Sequence, residues 1–175
     1  DETSPTHPAG FAGEIVLSAE RLLAASRIPG TSLRLGGLYG PGRTRLIERV
    51  RRGEARLRPG EAHYTNRIHR DDAAAAIQHL LGLAEPAPTY VCVDSEPADE
   101  AEVLCWLAAQ LGAAAPPQSP ASEQEESEPT VSRRCRNALL LAAGYRFRYP
   151  TFREGYAALL GSGSGPERRG VGGRG

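Results

Sequence analysis

A glycine-rich stretch, RLGGLYGPGRTRL from Arg34 to Leu46, is the first candidate for chemistry in the sequence. Glycine-rich turns between a strand and a helix can bind phosphate, because their backbone N–H groups converge on the anion. The glycines here lack the G-x-G-x-x-G spacing of dinucleotide-binding loops, and no lysine follows them as it does in P-loops. Pro41 also removes one N–H donor. The pattern therefore favours a sharp turn out of a strand, for which glycine supplies the backbone freedom.

Other polar residues allow more than one interpretation. His69 lies in the short stretch NRIH, where a histidine is either a catalytic group or a buried structural residue. A basic cluster is either a solvated helix face or a contact for an anionic substrate or cofactor phosphates. The cluster consists of Arg43, Arg45, Arg49, Arg51, Arg52, Arg56 and Arg58. Aromatic residues do not alternate with these arginines, so nucleic-acid binding is not expected.

Cysteine usage and charge exclude several classes. Cys92, Cys105 and Cys135 are odd in number and lack the spacing of metal ligands, so we expect no metal site and reduced thiols, as in the cytoplasm. No apolar stretch has the length of a membrane span or the form of a signal peptide. The 21 basic residues, all arginine, balance 21 acidic ones, so the net charge gives no reason to expect a membrane surface, nucleic acid or an acidic substrate as partner.

The elements that would position these residues alternate between helix and strand. The spacing of Ile15, Ala19, Leu22 and Leu23 predicts a helix over 13–26. The stretches TSLRLGG and TYVCV are typical of short buried strands, and NRIH is strand-like. A short helix is predicted around 46–50. The alternation predicts an α/β fold with a mostly parallel sheet.

Three further helices are predicted from their starts or ends. Asp71 or Asp72 is expected to cap a helix that continues to Leu81. Asp99, with Glu102 three residues on, predicts a capped helix that ends near Gly112. A short helix is expected over 137–144.

Two segments are expected to be disordered. Residues 114–130 are rich in Pro, Ser and Glu, and residues 161–175 are mostly glycine with serine and arginine. Such compositions bury too little apolar surface to offset the entropy of ordering the chain. The folded unit is therefore predicted over 1–113 and 131–160. The chain begins at Asp1 and contains no methionine, so we expect a fragment of a longer protein.

Three motifs in one order carry a family resemblance: SLRLGGLYGPGR, then NRIHRDDAAAAI, then YVCVDSEPADEAEVLCWLAAQLG. Together with the ending GYRFRYPTFREGYAALL, they resemble the second half of an atypical extended short-chain dehydrogenase/reductase of the NAD-dependent epimerase/dehydratase-like kind. The resemblance extends from Asp1 to Leu160. It implies the C-terminal part of a Rossmann-like, doubly wound, mostly parallel sheet, with the N-terminal nucleotide-binding half absent.

The resemblance also implies site residues. Gly36 and Gly37 would approach the nicotinamide end of NAD or NADP in the parent protein, while the isolated chain is expected to bind neither. Tyr39, Arg43, Arg67 and His69 are the substrate-side candidates. Sugar-nucleotide epimerases place a diphosphate-binding arginine where this chain has Thr65, and Arg67 could substitute for it from another place in the strand.

The family's catalytic pair is Tyr-x-x-x-Lys, whose positions correspond here to Ala12 and Val16, and the chain contains no lysine. The lysine charge normally lowers the pKa of the tyrosine, so that tyrosinate can exchange a proton with the substrate. The first hypothesis is thus a fragment, inactive by itself, of a cytoplasmic NAD(P)-dependent oxidoreductase or epimerase-like protein with a small-molecule substrate. The second is a non-catalytic NAD(P)-sensing or protein-interaction member, and the third an α/β remnant without a ligand. A homodimer is a further expectation.

Overall fold

The computed structural model describes residues 1–8, 10–120 and 132–162. Its helices are α1 (Gly10–Ala25), α2 (Arg45–Arg51), α3 (Arg70–Leu81), α4 (Glu100–Leu111), α5 (Ala138–Ala142) and α6 (Phe152–Ser162). Its strands are β1 (Ser32–Leu35), β2 (Gly37–Tyr39), β3 (Tyr64–Thr65), β4 (Arg67–His69), β5 (Thr89–Cys92) and β6 (Ala98–Asp99).

The strands pair in parallel where they form the centre of the molecule. β1 pairs with β5, in register from Ser32 opposite Thr89, and β2 pairs with β4, in register from Gly37 opposite Arg67. The short strands β3 and β6 pair antiparallel. Helices cover the parallel strands, whose apolar side chains are largely buried, as the run TYVC in β5 shows. The predicted α/β class with a mostly parallel arrangement is confirmed.

The chain changes its strand partner between β1 and β2. The Gly36 N–H donates to the Cys92 carbonyl at 3.0 Å, whereas the next N–H, that of Gly37, donates to the Asn66 carbonyl at 2.9 Å. A Cβ atom on Gly36 would lie 3.0 Å from both the Arg67 backbone and the Val93 side chain. Glycine is therefore required at this crossing, because any side chain would force the three segments apart. We refer to Gly36 and Gly37 as the switch point.

Two apolar cores hold the helices in place. One lies among α2, α4 and α6, and its buried side chains include Ile47, Leu104, Leu107 and Phe152. The other packs α3 and α5 on β4 and β5 through residues such as Ile68, Leu80, Tyr90 and Leu140. The cores explain why these short helices are stable, since helices of this length depend on packing of an apolar face.

The predicted cap of α4 is confirmed, and the predicted cap of α3 is wrong. Asp99 is the N-cap of α4 and accepts a hydrogen bond from the Ala101 N–H at 3.2 Å, while Gly112 ends the helix in the left-handed conformation. In α3 the N-cap is His69, whose Nδ1 accepts from the Asp71 N–H at 3.2 Å. Asp71 and Asp72 lie inside the first turn, where their negative charge is favourable to the helix dipole.

Helix α1 exists as predicted but exposes its apolar stripe. The side chains of Phe11, Ile15 and Leu22 are 78%, 51% and 73% exposed. The opposite side contacts β1, where Glu20 forms an ion pair with Arg34 at 2.6 Å. The spacing thus predicted the helix correctly, whereas burial of Ile15 and Leu22 would need a partner beyond the described residues.

The start of the predicted linker contacts the folded unit. The Leu57 N–H donates to the Pro117 carbonyl at 2.8 Å, and the Ser119 N–H donates to the Leu57 carbonyl at 2.8 Å. Residues 114–120 are therefore tied to the segment after α2 by backbone hydrogen bonds. Residues 121–130 of this predicted linker and 163–175 of the predicted tail lie outside the described residues.

Candidate functional site

A buried polar cluster lies beside the switch point, at the carboxyl ends of β2 and β4. It consists of Tyr39, Arg67, His69, Asp94 and Tyr156, all of which are buried. Tyr39 and His69 end their strands opposite each other, and their rings meet edge to face with centroids 5.3 Å apart. The Tyr156 ring, from α6, lies 4.4 Å from the Tyr39 ring. Parallel strands place these side chains together because their carboxyl ends meet at one edge.

Helix α6 closes over the cluster because it carries a glycine at the point of contact. A Cβ atom on Gly155 would lie 2.7 Å from Cζ and 2.8 Å from Cε2 of Tyr39. No side chain fits at that separation, so Gly155 sets how closely α6 approaches β2. Arg153 also holds α6 in place, because its guanidinium donates a hydrogen bond to Glu96 at 2.7 Å and forms an ion pair with Glu102.

Burial dominates the electrostatics of the cluster. It raises the pKa of Asp94 to about 7, with the Glu96 N–H and the Arg67 guanidinium opposing the shift. Burial likewise raises the pKa values of Tyr39 and Tyr156, so both phenols stay protonated at neutral pH. The pKa of His69 is lowered, mainly by burial, which favours the neutral ring.

Three polar atoms of the cluster have no hydrogen-bond partner among the residues that the structure describes. They are Tyr39 Oη, Arg67 Nη1 and Asp94 Oδ2. Another donor of Arg67 is engaged, since Nη2 donates to the Thr65 hydroxyl, and the guanidinium lies 5.8 Å from the Phe152 ring centroid. Unsatisfied buried groups each cost about 1–3 kcal/mol. The cluster is thus a costly polar interior rather than a solvated cleft.

The structure brings three of the four predicted substrate-side candidates together. Tyr39, Arg67 and His69 share the cluster, while Arg43 is exposed on the turn that follows β2. The Arg43 N–H donates to the Gly40 carbonyl at 2.8 Å, which closes that turn. His69 uses Nδ1 to cap α3 and packs against the Tyr149 ring at 4.2 Å.

The two glycines of the switch point differ in the space beside them. The Cβ side of Gly36 is filled by Arg67 and Val93. Gly37 is exposed, and a Cβ atom placed on it would find the Asn66 carbonyl oxygen at 3.4 Å as its nearest neighbour. Room for a ligand beside the backbone therefore exists on the Gly37 side.

Asp72 is a structural residue that the sequence interpretation assigned to the wrong role. Its carboxylate accepts from the Tyr145 hydroxyl at 2.8 Å and from the N–H groups of Arg148 and Tyr149 at 2.8 and 2.9 Å. It holds the segment before α6 against α3, and so places Tyr149 beside His69. The spacing in the sequence already indicated that Asp72 is buried, because Asp72 shares one face of α3 with the buried Ala76 and Leu80.

The two positions predicted to correspond to the family's catalytic pair carry no acid–base group. Ala12 and Val16 both lie on α1, where Val16 is exposed. In the described ranges no cluster of histidine, cysteine or carboxylate side chains has the arrangement of a metal site. None of the helices in the same ranges combines the length and apolar character needed to cross a bilayer.

The parallel strands, the switch point and the covering helices define a Rossmann-like α/β unit of the epimerase/dehydratase type. No family model matches the chain. A 3-diazoavenalumate denitrifying reductase from a Streptomyces species is 35% identical over 133 residues, which are 70% of this chain and 43% of that protein. An NAD-dependent epimerase/dehydratase structure from Methylobacillus flagellatus is 40% identical, with a TM-score of 0.74, and the match covers 93% of this chain and 57% of that one.

A human epimerase family protein, SDR39U1 with NADPH, has the same fold at 23% identity. Its TM-score is 0.70, and the match covers 91% of this chain and 58% of that one. The predicted resemblance to NAD-dependent epimerase/dehydratase-like proteins is confirmed by the Methylobacillus flagellatus structure at 40% identity. It spans about half the length of the relatives that it matches.

The described residues do not form a complete binding site for NAD(P). The switch point leaves backbone exposed at Gly37. The glycine turn after β2 does not act as a phosphate cradle, because the space beside Gly40 is filled by the Arg70 side chain, 2.8 Å from a Cβ atom placed there. A pyrophosphate loop is not found in the described part of the chain.

Proposed function

We propose that this chain forms the substrate-side part of an NAD(P)-dependent oxidoreductase or epimerase-like protein that acts on a small molecule. The observation that carries the proposal is the change of strand partner at Gly36 and Gly37. In open α/β sheets, ligands bind outside the carboxyl ends of the strands at the point where neighbouring connections diverge. Gly36 and Gly37 lie at the carboxyl end of β1, where the chain leaves β5 and pairs with β4, and Gly37 is exposed there beside the buried cluster.

In this proposal the chain shapes the binding site, and it does not contribute the catalytic acid–base pair. Gly37 gives room for the nicotinamide end of the cofactor, with Gly36 holding the strands beneath it. Tyr39, Arg67 and His69 are all buried, so in this proposal they support the residues that line the site. Arg43, which is exposed on the neighbouring turn, is the member of the predicted set that can reach a ligand directly.

A second candidate is a non-catalytic member that senses NAD(P) or binds another protein. Ala12 and Val16 at the catalytic positions, together with the absence of lysine from all 175 residues, favour it. Without a lysine ammonium, no group of this kind lowers the pKa of a tyrosine or holds a ribose. The enzyme and the NAD(P) sensor both require cofactor binding by the complete protein, and they differ in turnover.

The experiment compares the chain with a fusion that supplies a cofactor-binding half. NADPH is titrated with the 175-residue chain, and separately with a fusion of this chain to the first half of the Methylobacillus flagellatus relative, while its fluorescence is measured. We expect saturable binding by the fusion alone. Oxidation of NADPH by the fusion with small carbonyl compounds supports the enzyme, and binding without turnover supports the sensor. Saturable NADPH binding by the isolated chain, or a folded fusion that does not bind, would contradict the proposal.

We further propose a cytoplasmic location and a homodimer. The location is supported by the three cysteines, which are free thiols in the structure. The homodimer is supported by the exposed apolar stripe of α1. Cell fractionation tests the first, and light scattering of the purified fusion tests the second.

A further inference from the structure

The segment 132–136 carries three arginines and is held rigidly beside β3 and β4. The Arg133 N–H donates to the Tyr64 carbonyl at 3.3 Å. The Asn66 side chain forms two hydrogen bonds with the same segment: Nδ2 donates to the Arg133 carbonyl at 2.9 Å, and Oδ1 accepts from the Cys135 N–H at 2.8 Å. The arginine side chains therefore start from a backbone whose position is fixed by hydrogen bonds.

Asn66 also connects this segment to the switch point. Its backbone carbonyl accepts from the Gly37 N–H at 2.9 Å. On its other side, Arg133 Nη2 donates to the His7 carbonyl at 3.5 Å, in the coil that precedes α1. Arg133 thus lies between the switch point and the start of the helix that carries Ala12 and Val16.

The charges of these arginines are not neutralised within the described part of the chain. Arg133, Arg134 and Arg136 belong to a largely exposed segment, and the ion pairs found between described residues involve none of them. The sequence from 132 to 150 contains no aspartate or glutamate. Arg34 and Arg153, by contrast, are each paired with a carboxylate. Among the described residues, the segment beside the site therefore carries positive charge that no carboxylate pairs.

Arg134 is further held by an aromatic ring. Its guanidinium carbon lies 4.8 Å from the centroid of Tyr64. Stacking of this kind restrains the side chain and leaves the N–H donors at the edge of the guanidinium available to a ligand. Arg134, held by stacking, and Arg133, held by its hydrogen bond to His7, together suit a ligand with several negatively charged oxygens, because the guanidinium fork matches a carboxylate or phosphoryl group.

We propose that Arg133 and Arg134 bind an anionic group of the substrate, a carboxylate or a phosphoryl group, at the edge of the site. The inference rests on the proposed function and extends it by naming the substrate class. Arg133 contacts the coil before α1 and Arg134 stacks on Tyr64 of β3, and Asn66 joins the segment that carries both arginines to Gly37. The anionic group anchors one end of the substrate, and the reacting carbon lies toward Gly37.

The test is a titration of the full chain, labelled with ¹⁵N, by inorganic phosphate and separately by acetate at constant ionic strength. We expect saturable shifts of the amide signals of 132–136 and of Gly37. The anion that binds more tightly identifies the group as phosphoryl or carboxylate. The absence of a saturable shift with both anions would overturn the proposal.

Matched variants separate a built site from general charge attraction. The Arg133→Gln/Arg134→Gln variant should weaken anion binding by about tenfold or more, because it removes both forks. The Arg51→Gln/Arg52→Gln variant removes the same charge at the end of α2 and should change the affinity by less than about twofold. Equal weakening by the two variants would refute the site. Arg133→Lys/Arg134→Lys keeps the charge but not the fork, so affinity should fall between the two.

The result is independent of the cofactor experiment, because the titration contains no nucleotide. Anion binding at 132–136 together with a folded fusion that does not bind NADPH would overturn the proposed function and retain the arginine site. NADPH binding by the fusion without anion binding at this segment would remove the arginine site alone.

Discussion

Replacement of Gly155 by alanine should destabilise the chain, although alanine is the better helix former. Alanine in place of glycine inside a helix gains about 0.5–1 kcal/mol. At position 155 the added methyl would lie 2.7 Å from Cζ of Tyr39. A buried overlap of this kind costs about 1–3 kcal/mol. The contact is closer than any ordinary packing distance, so we expect the cost at the upper end of that range and a net loss of stability.

Gly161 provides the matched control, because it lies in the same helix and an added Cβ would meet no neighbouring atom of the described residues within 4 Å. Gly161→Ala should keep the helix gain without the overlap. Urea unfolding followed by circular dichroism should therefore separate the two variants by about 2–3 kcal/mol. Equal free energies of unfolding would refute the close approach of α6 to β2. A double variant with Tyr39→Ala should lose less than the sum of the single changes, since it removes the ring that the methyl strikes.

Three further predictions concern the buried polar groups and stability. Asp94 binds a proton in the folded state up to a pKa of about 7, against 3.8 ordinarily, so stability should fall as pH rises from about 4 to 7. Asp94→Asn has no carboxyl group to ionise, so its free energy of unfolding should exceed that of the unchanged chain by an amount that grows with pH across this window, toward an upper limit of about 4 kcal/mol. A difference that does not change with pH would contradict the burial argument. Asp72→Ala leaves the N–H groups of Arg148 and Tyr149 without their acceptor, while the Tyr145 hydroxyl keeps the backbone carbonyl of residue 72 at 2.9 Å. It should therefore cost about 2 kcal/mol or more, against less than about 0.5 kcal/mol for the partly exposed Asp71→Ala, and similar unfolding midpoints would exclude this role. The isolated chain should unfold at a low melting midpoint because the apolar stripe of α1 is uncovered. Each large apolar side chain left exposed loses about 1.5–3 kcal/mol of stabilisation that burial would give. A high, cooperative melting midpoint for the monomer would argue against this.

Local patterns in the sequence predicted most of the elements. The helical spacing in α1, the Asp99 cap with Gly112 at the end of α4, and the β-branched run of β5 each depend on residues within a few positions of one another. Such signals act through the backbone of the same element and need no knowledge of the fold. The order of three motifs was sufficient to predict the epimerase/dehydratase-like relationship.

The cap of α3 shows where local reasoning was insufficient. Asp, Asp and His occur within four positions, and each of these residue types can accept a hydrogen bond from a helix N–H. The outcome depends on Asp72 being taken by Tyr145, 73 residues away in the sequence. With Asp72 engaged in the interior, the ring nitrogen of His69 caps the helix instead.

The sequence by itself determined the class of fold, the positions of its main elements and the absence of a Tyr-x-x-x-Lys pair, because these are properties of residue identity and short spacing. Only the tertiary structure decided that Tyr39, Arg67 and His69 are buried together beside the switch point, and that Asn66 joins Arg133 to it. The physical reason is that burial and hydrogen bonding between distant segments depend on which strands become neighbours. At Gly36 the close approach of the neighbouring segments depends on a missing Cβ atom, which would lie 3.0 Å from both Arg67 and Val93.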